Sequence, residues 1–252
     1  MMQQKYIFYF ILSISAFFTI SCNEQKAQQT DIYVFIDVTD TLSRNADIPT
    51  YDLVKRIGVD TASGGLHGGT IKFFMINDIS QGKVLGKIEL PVGNGGLLGD
   101  NPLARADVVK TFWHSLKTTI AEVKQKATYG ANRSKIYQNM CEELNNLAQS
   151  KADKKLAIVY SDLLENSDAI SFYGAGVQKI AAWEKDIKAA DAFLKKSYGC
   201  SLPDLSAIEL HIVQVRSTKN DAAITAAKSF WKLLFNYKKA NVKFEAELNL
   251  LN

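Results

Sequence analysis

A chain of 252 residues with 47% apolar residues and a formal charge of +4 is long enough to bury roughly 70–75% of its unfolded surface, so its core needs neither disulfides nor a metal. That apolar content, with only 15 Gly and 4 Pro, excludes wholesale disorder and fibrous or low-complexity architecture. The positive charge is spread without a basic block, which excludes nucleic acid as the default partner.

The strongest asymmetry lies at the start. Residues 6–20 carry no charge and Lys5 is the one basic residue before them. This is a short basic region, an apolar stretch too short for a comfortable membrane span, and the small residues Thr19 and Ser21 ahead of Cys22, the pattern of an export signal. A secretory cut after Ser21 fits it. The run Thr19-Ile20-Ser21-Cys22 also resembles a bacterial lipobox, with Thr where Leu is usual. That resemblance implies that Cys22 takes the lipid and becomes the mature N-terminus, with the polar residues after it, up to residue 29, as a tether. Lipid anchoring is the preferred reading, with plain secretion to the periplasm or exterior second. Asn23 is not the Asp that resembles an inner-membrane retention signal, so an outer membrane is favoured where one exists. Removing residues 1–21 leaves a net charge of +3.

The rest reads as one domain over residues 30–252, with short apolar runs alternating with helical stretches. Residues 31–37 form a strand apolar enough to be buried on both faces. A short helix is expected at 51–58, a loop at 64–69 and a strand at 70–77. Residues 83–92 read as an antiparallel edge partner, stopped by Pro91 and a glycine-rich loop at 93–99. Pro102 opens a long helix to about 126, with Val108, Val109, Phe112, Trp113, Leu116 and Ile120 at helical spacing. Further helices are expected at 134–149, 177–196 and 221–239, and strands at 156–160, 207–215 and 242–248. Strands alternating with helices predict an α/β fold: a doubly wound, mostly parallel open sheet flanked by helices, with one antiparallel edge strand. Cys141 shares an apolar helix face with Tyr137, Met140 and Leu144, so Cys141 and Cys200 are expected as free thiols, with a disulfide as the alternative. His67, His114 and His211 are scattered over a loop, a helix and a strand. Trp113, Trp183 and Trp231 sit in helical apolar patterns and are expected in the core.

In a doubly wound sheet, ligands sit outside the carboxyl ends of the strands, where strand order reverses. Two such ends carry acids, Asp37 and Asp162. After the first strand, Asp37, Thr39 and Thr41 set three oxygen donors on alternate positions of one tight loop. Ser134 adds a hydroxyl at a helix start and Asp162 a second carboxylate. A set of two acids and neutral oxygens suits a hard divalent cation.

This arrangement resembles the von Willebrand factor type A domain and its metal-ion-dependent adhesion site. Asp37-x-Thr39-x-Thr41 matches the Asp-x-Ser-x-Ser motif with Thr for Ser. Ser134 stands where that family places a Thr at a helix opening, and Asp162 where its fourth strand ends in Asp. The glycine that commonly follows that Asp is Leu163 here, and the Gly-Gly before the family Thr is Asn132-Arg133. The order of elements agrees over about residues 30–250. The resemblance implies Mg²⁺ (or Mn²⁺ or Ca²⁺) held by Asp37, Thr39, Thr41, Ser134 and Asp162, with a protein ligand's carboxylate completing the metal. It implies a binding module, not an enzyme. Arg44, Asn132, Arg133, Glu165 and Asn166 form the candidate ligand rim, and as single residues they read equally as solvated loop positions. Asp40 and Ser43 read as helix caps.

Two alternatives stand beside this. Asp37-Val-Thr-Asp-Thr41-Leu42 also resembles the haloacid dehalogenase-type phosphatase motif. That would make Asp37 a nucleophile, with Asp162 and Asp168 as distal Mg²⁺ acids. A structural envelope module with a vestigial site is the other. No zinc-spaced cysteines, nucleophile elbow or phosphate loop is present.

Overall fold

The computed structural model describes residues 27–59, 65–78, 84–94, 100–126, 133–214, 221–248 and 250, apart from the side chains of Thr41 and Asp221. The signal segment, Cys22 and Asn132 lie outside the described residues. Six strands form one sheet: β1 (Gln29–Asp37), β2 (Gly68–Ile76), β3 (Val84–Leu90), β4 (Lys154–Tyr160), β5 (Glu209–Val213) and β6 (Asn241–Glu245), in the order β3-β2-β1-β4-β5-β6. Only the β2–β3 pairing is antiparallel, so β3 is the expected antiparallel edge strand of a doubly wound sheet.

Among the described residues there are seven helices: α1 (Thr41–Asn45), α2 (Thr50–Ile57), α3 (Pro102–Lys126), α4 (Ile136–Gln149), α5 (Gly176–Lys185), α6 (Ile187–Tyr198) and α7 (Asp221–Tyr237). Strand alternation sorts them onto two faces. Ile32, Val34 and Ile36 of β1 turn to a core shared with Leu53 and Ile57 of α2 and Val109 and Leu116 of α3. Tyr33 and Phe35 turn to a second core built with α4, α5, α6 and α7, where Trp231 and Tyr137 are the largest fully buried side chains. With both faces covered, β1 is apolar at every position from Ile32 to Ile36.

Three expectations are corrected, and one short helix is added. The stretch 177–196 is two helices, because Asp186 leaves helical geometry (φ −142°) and its Oδ1 accepts from Ala189 N at 3.0 Å, capping α6. Val108 is 42% exposed, on the flank of α3 beside the core stripe. A short helix, α1, follows the first strand; as expected, Asp40 caps it, accepting from Leu42 N (3.1 Å) and Ser43 N (2.9 Å). Cys141 and Cys200 are joined in a disulfide, with Cα atoms 6.2 Å apart. Helical periodicity placed Cys141 correctly in the core, at 0% exposure. It gave no view of the α6 terminus that brings Cys200 against it.

Candidate functional site

Strand order reverses between β1 and β4, whose chains leave on opposite sides of the crevice at their shared carboxyl end. Asp37 closes β1 at this point and is 0% exposed. Its Oδ1 accepts from the backbone N (3.1 Å) and Oγ1 (2.7 Å) of Thr39. Its Oδ2 accepts from Ser134 Oγ (2.7 Å) and Ser161 Oγ (2.8 Å). Thr39 Oγ1 and Ser134 Oγ are themselves 2.8 Å apart. Residues separated by 95 to 124 positions thus meet in one oxygen cluster.

Three of the five expected ligands, Asp37, Thr39 and Ser134, are brought together. Thr41 opens α1, but its side chain lies outside the described residues. Asp162 is engaged separately from the hydrogen-bonded cluster: its Oδ1 accepts from Leu164 N at 2.9 Å, and its backbone carbonyl accepts from Gln214 Nε2 at 3.1 Å. Its carboxyl is pushed up to about 7, first by burial and then by the negative charges of Asp37 and Asp40. Burial likewise raises Asp37, against the pull of its four hydrogen bonds. Among the described residues no basic side chain forms an ion pair with Asp37 or Asp162. The crevice therefore concentrates negative potential on oxygen donors.

Sequence reasoning missed two members. Ser161 bridges Asp37 Oδ2 and the backbone N of Leu163 (2.9 Å). The signal for it was a hydroxyl directly after an apolar strand, beside the Asp already singled out. Tyr173, 43% exposed, has its hydroxyl pushed up to about 12, first by burial and then by the charges of Asp162, Asp37 and Asp40. Nothing in the local sequence announced it.

The expected rim is regrouped. Glu165 is 1% exposed and turned inward: it accepts from Tyr137 N (2.8 Å) at the start of α4 and from the Tyr198 hydroxyl (2.7 Å). It is a buried cap, its carboxyl raised to about 7 by desolvation, and not a rim residue. Asn166 acts through its backbone, whose N donates to Ser134 O at 2.8 Å and so ties the β4 exit loop to the α4 approach. Arg133 is exposed and pairs with Asp168. Arg44, half-buried on α1, keeps its Nε shielded without a hydrogen-bond partner. The peptide after Asp162 is unusual, since Leu163 takes φ 65°, in the left-handed region that disfavours a side chain.

Among the described residues no group of three or more His, Cys, Asp or Glu is arranged to hold a metal; the donors here are two carboxylates and hydroxyls. Among the same residues no helix is long and apolar enough to cross a membrane.

No protein-family profile matches the chain. No curated protein sequence matches it either. Among solved structures, a match is the crystal structure of the pilus adhesin SpaC from Lactobacillus rhamnosus GG in an open conformation. Sequence identity is 11% and the TM-score 0.41, over 89% of this chain and 28% of that one. The chain therefore spans under a third of the adhesin's length.

Proposed function

We propose that this chain is an exported, lipid-anchored binding module resembling the von Willebrand factor type A domain, which recognises an acidic group of a protein ligand through a divalent cation. The observation that carries this reading is the convergence of Asp37, Thr39 and Ser134 at 2.7–2.8 Å in a buried crevice at the strand-order switch point. Hard cations take oxygen ligands, and Mg²⁺ keeps several positions for water or ligand oxygens. Asp37, Thr39 and Ser134 would hold the ion directly, with Asp162 balancing its charge. Bound there, the cation would supply an electrophilic position for a carboxylate. The antiparallel edge strand supports the resemblance, as does the left-handed backbone at Leu163, where that family commonly has Gly.

The phosphatase alternative is disfavoured, because Asp40 stands where that motif expects a tight Gly turn; here it caps α1, and its carboxylate would repel a phosphate. The tether would enter at Gln29, at the opposite end of β1 from Asp37 and about 26 Å from it along the strand. Lipidation at Cys22 would thus leave the crevice clear.

The test is calorimetric titration of Mg²⁺ and Mn²⁺ into the wild-type chain and the near-isosteric Asp37→Asn variant. Micromolar to millimolar affinity, reduced at least tenfold in the variant with its fold intact by circular dichroism, is expected. A wild-type chain with no measurable divalent affinity refutes the metal site. For the anchor, Cys22→Ala should abolish labelling by a fatty-acid analogue.

A further inference from the structure

Among the described residues the β3 edge of the sheet has no neighbouring strand, and its outward backbone groups form a template for another strand. Exposed apolar side chains gather there: Val84 (45%), Val92 (40%), Leu103 (77%) and Val108 (42%). Between β3 and α3 runs a groove of about 340 Å³, lined by Ile88 and Leu90 on one side and Val108, Thr111 and Ser115 on the other. The helix flank beside it, through Ala104, Val108, Thr111, Ser115 and Thr118, is exposed and uncharged, with Asp107 at its margin lining the groove. The neighbouring exposed stripe carries Lys110, His114 and Lys117. An uncharged stripe of small side chains next to an open edge lets a second helix approach closely.

The edge sequence is self-complementary about Ile88. In an antiparallel pairing of two copies centred on that residue, Lys87 falls opposite the partner's Glu89 and Glu89 opposite the partner's Lys87. These are two cross-strand charge pairs on one face. Val84 falls opposite the partner's Val92. Leu85, whose carbonyl already accepts from Lys126 Nζ at 3.1 Å, falls opposite the partner's Pro91, which has no N–H to offer. The same two-fold axis brings the two α3 flanks together over the groove. Such an interface is isologous and closed, so it gives a dimer and not a fibre.

We propose that two copies of this chain pair through β3, in a register centred on Ile88, to make one continuous twelve-stranded sheet. Sedimentation velocity of the full chain in detergent tests this, across a concentration series, for the wild type, Glu89→Lys and the Lys87→Glu/Glu89→Lys double variant. Both substituted positions, Lys87 and Glu89, are exposed on the strand. The single variant sets lysines against each other twice, and the double variant restores opposite charges. A wild-type dimer whose dissociation constant rises at least tenfold in Glu89→Lys, and returns to within about threefold in the double variant, is expected. Ile88→Cys should then give a disulfide-linked dimer on mild oxidation, a product that Glu89→Lys suppresses. A wild-type chain that stays monomeric overturns the proposal. So does a dimer indifferent to Glu89→Lys, or one that the double variant fails to restore.

Discussion

Removing the Cys141–Cys200 bridge isolates one contribution to stability whose size follows from the chain path. The two residues are separated by 59 positions, and a loop of that length closed in the unfolded chain corresponds to about 4 kcal/mol of denatured-state entropy. The native side adds little to this figure, because the two segments are held together independently of the sulfurs. Asn145 Nδ2 donates to Cys141 O (2.9 Å) and to Ser201 O (2.9 Å), and the Tyr137 hydroxyl donates to Cys200 O (3.3 Å). A Cys141→Ala/Cys200→Ala chain should therefore keep its fold. It should lose about 4 kcal/mol, a fall in Tm of roughly 10 °C for a domain of this size. Urea unfolding with far-ultraviolet circular dichroism reads the loss. The m-value should rise, because the uncrosslinked denatured chain exposes more surface. Reductant should shift the wild type by the same amount and leave the double variant unmoved. A loss below about 1 kcal/mol with an unchanged m-value would refute the argument that the bridge acts on the unfolded chain.

Burial raises Glu165 to about 7 from an ordinary unfolded value, so its protonated form is favoured in the fold. Its contribution is fully present below about pH 4.5 and is lost as pH rises through 7, amounting to about 3 kcal/mol. Asp162, also raised to about 7, acts in the same direction. Urea unfolding without divalent cations should therefore show stability falling between pH 5 and pH 8. Glu165→Gln should flatten that fall, and a slope identical to wild type would disprove the assignment. At Leu163, 0% exposed with φ 65°, both Gly and Ala lose the buried side chain, at a cost of about 2–5 kcal/mol. Only Gly relieves the left-handed backbone, so Leu163→Gly should exceed Leu163→Ala in stability by about 1 kcal/mol. An Ala variant equal to or more stable than Gly counts against strain at this peptide.

The sheet was legible because burial on both faces leaves an imprint that local reading detects. β1 is apolar from Ile32 to Ile36, and β4 from Leu156 to Tyr160. Helix α3 declared itself through Pro102 at its start and apolar positions three and four apart. What failed was decided by contacts distant in sequence. Asp186 splits 177–196 because the chain must turn between the two helices, and an isolated Asp in a helical pattern reads equally as a solvated face residue. Val108 has the right chemistry for a core and nearly the right spacing. It misses because the stripe runs through Arg105, Val109, Phe112 and Leu116. The buried member there is Arg105, whose guanidinium donates to Gly65 O (2.8 Å) and His67 O (2.7 Å). No periodicity rule expects an arginine on the inner face.

The crevice was half legible for a related reason. Asp37 and Thr39 lie two residues apart, so one loop conformation suffices to bring them together, and their pairing follows from sequence. Ser134, Ser161 and Glu165 each have a local explanation as a cap, turn or solvated loop residue that costs nothing to believe. For Glu165 the reading as a solvated loop position fails, since it is buried and caps the start of α4 from 28 residues away. Ser134 and Ser161 are decided by which strand end their loop passes, and strand order fixes that. Once β4 lies beside β1, the residue after Tyr160 is opposite Asp37, because Ile36 pairs with Tyr160. A hydroxyl at 161 is then within reach of the carboxylate whatever else the loop does. Ser134 follows when the backbone N of Asn166 binds its carbonyl and draws the approach to α4 over the same end. The oxygen cluster is thus a consequence of sheet order acting on residues that look ordinary singly. Exchanging Ser161 for Ala should therefore disturb the Asp37 environment more than its place in a loop suggests.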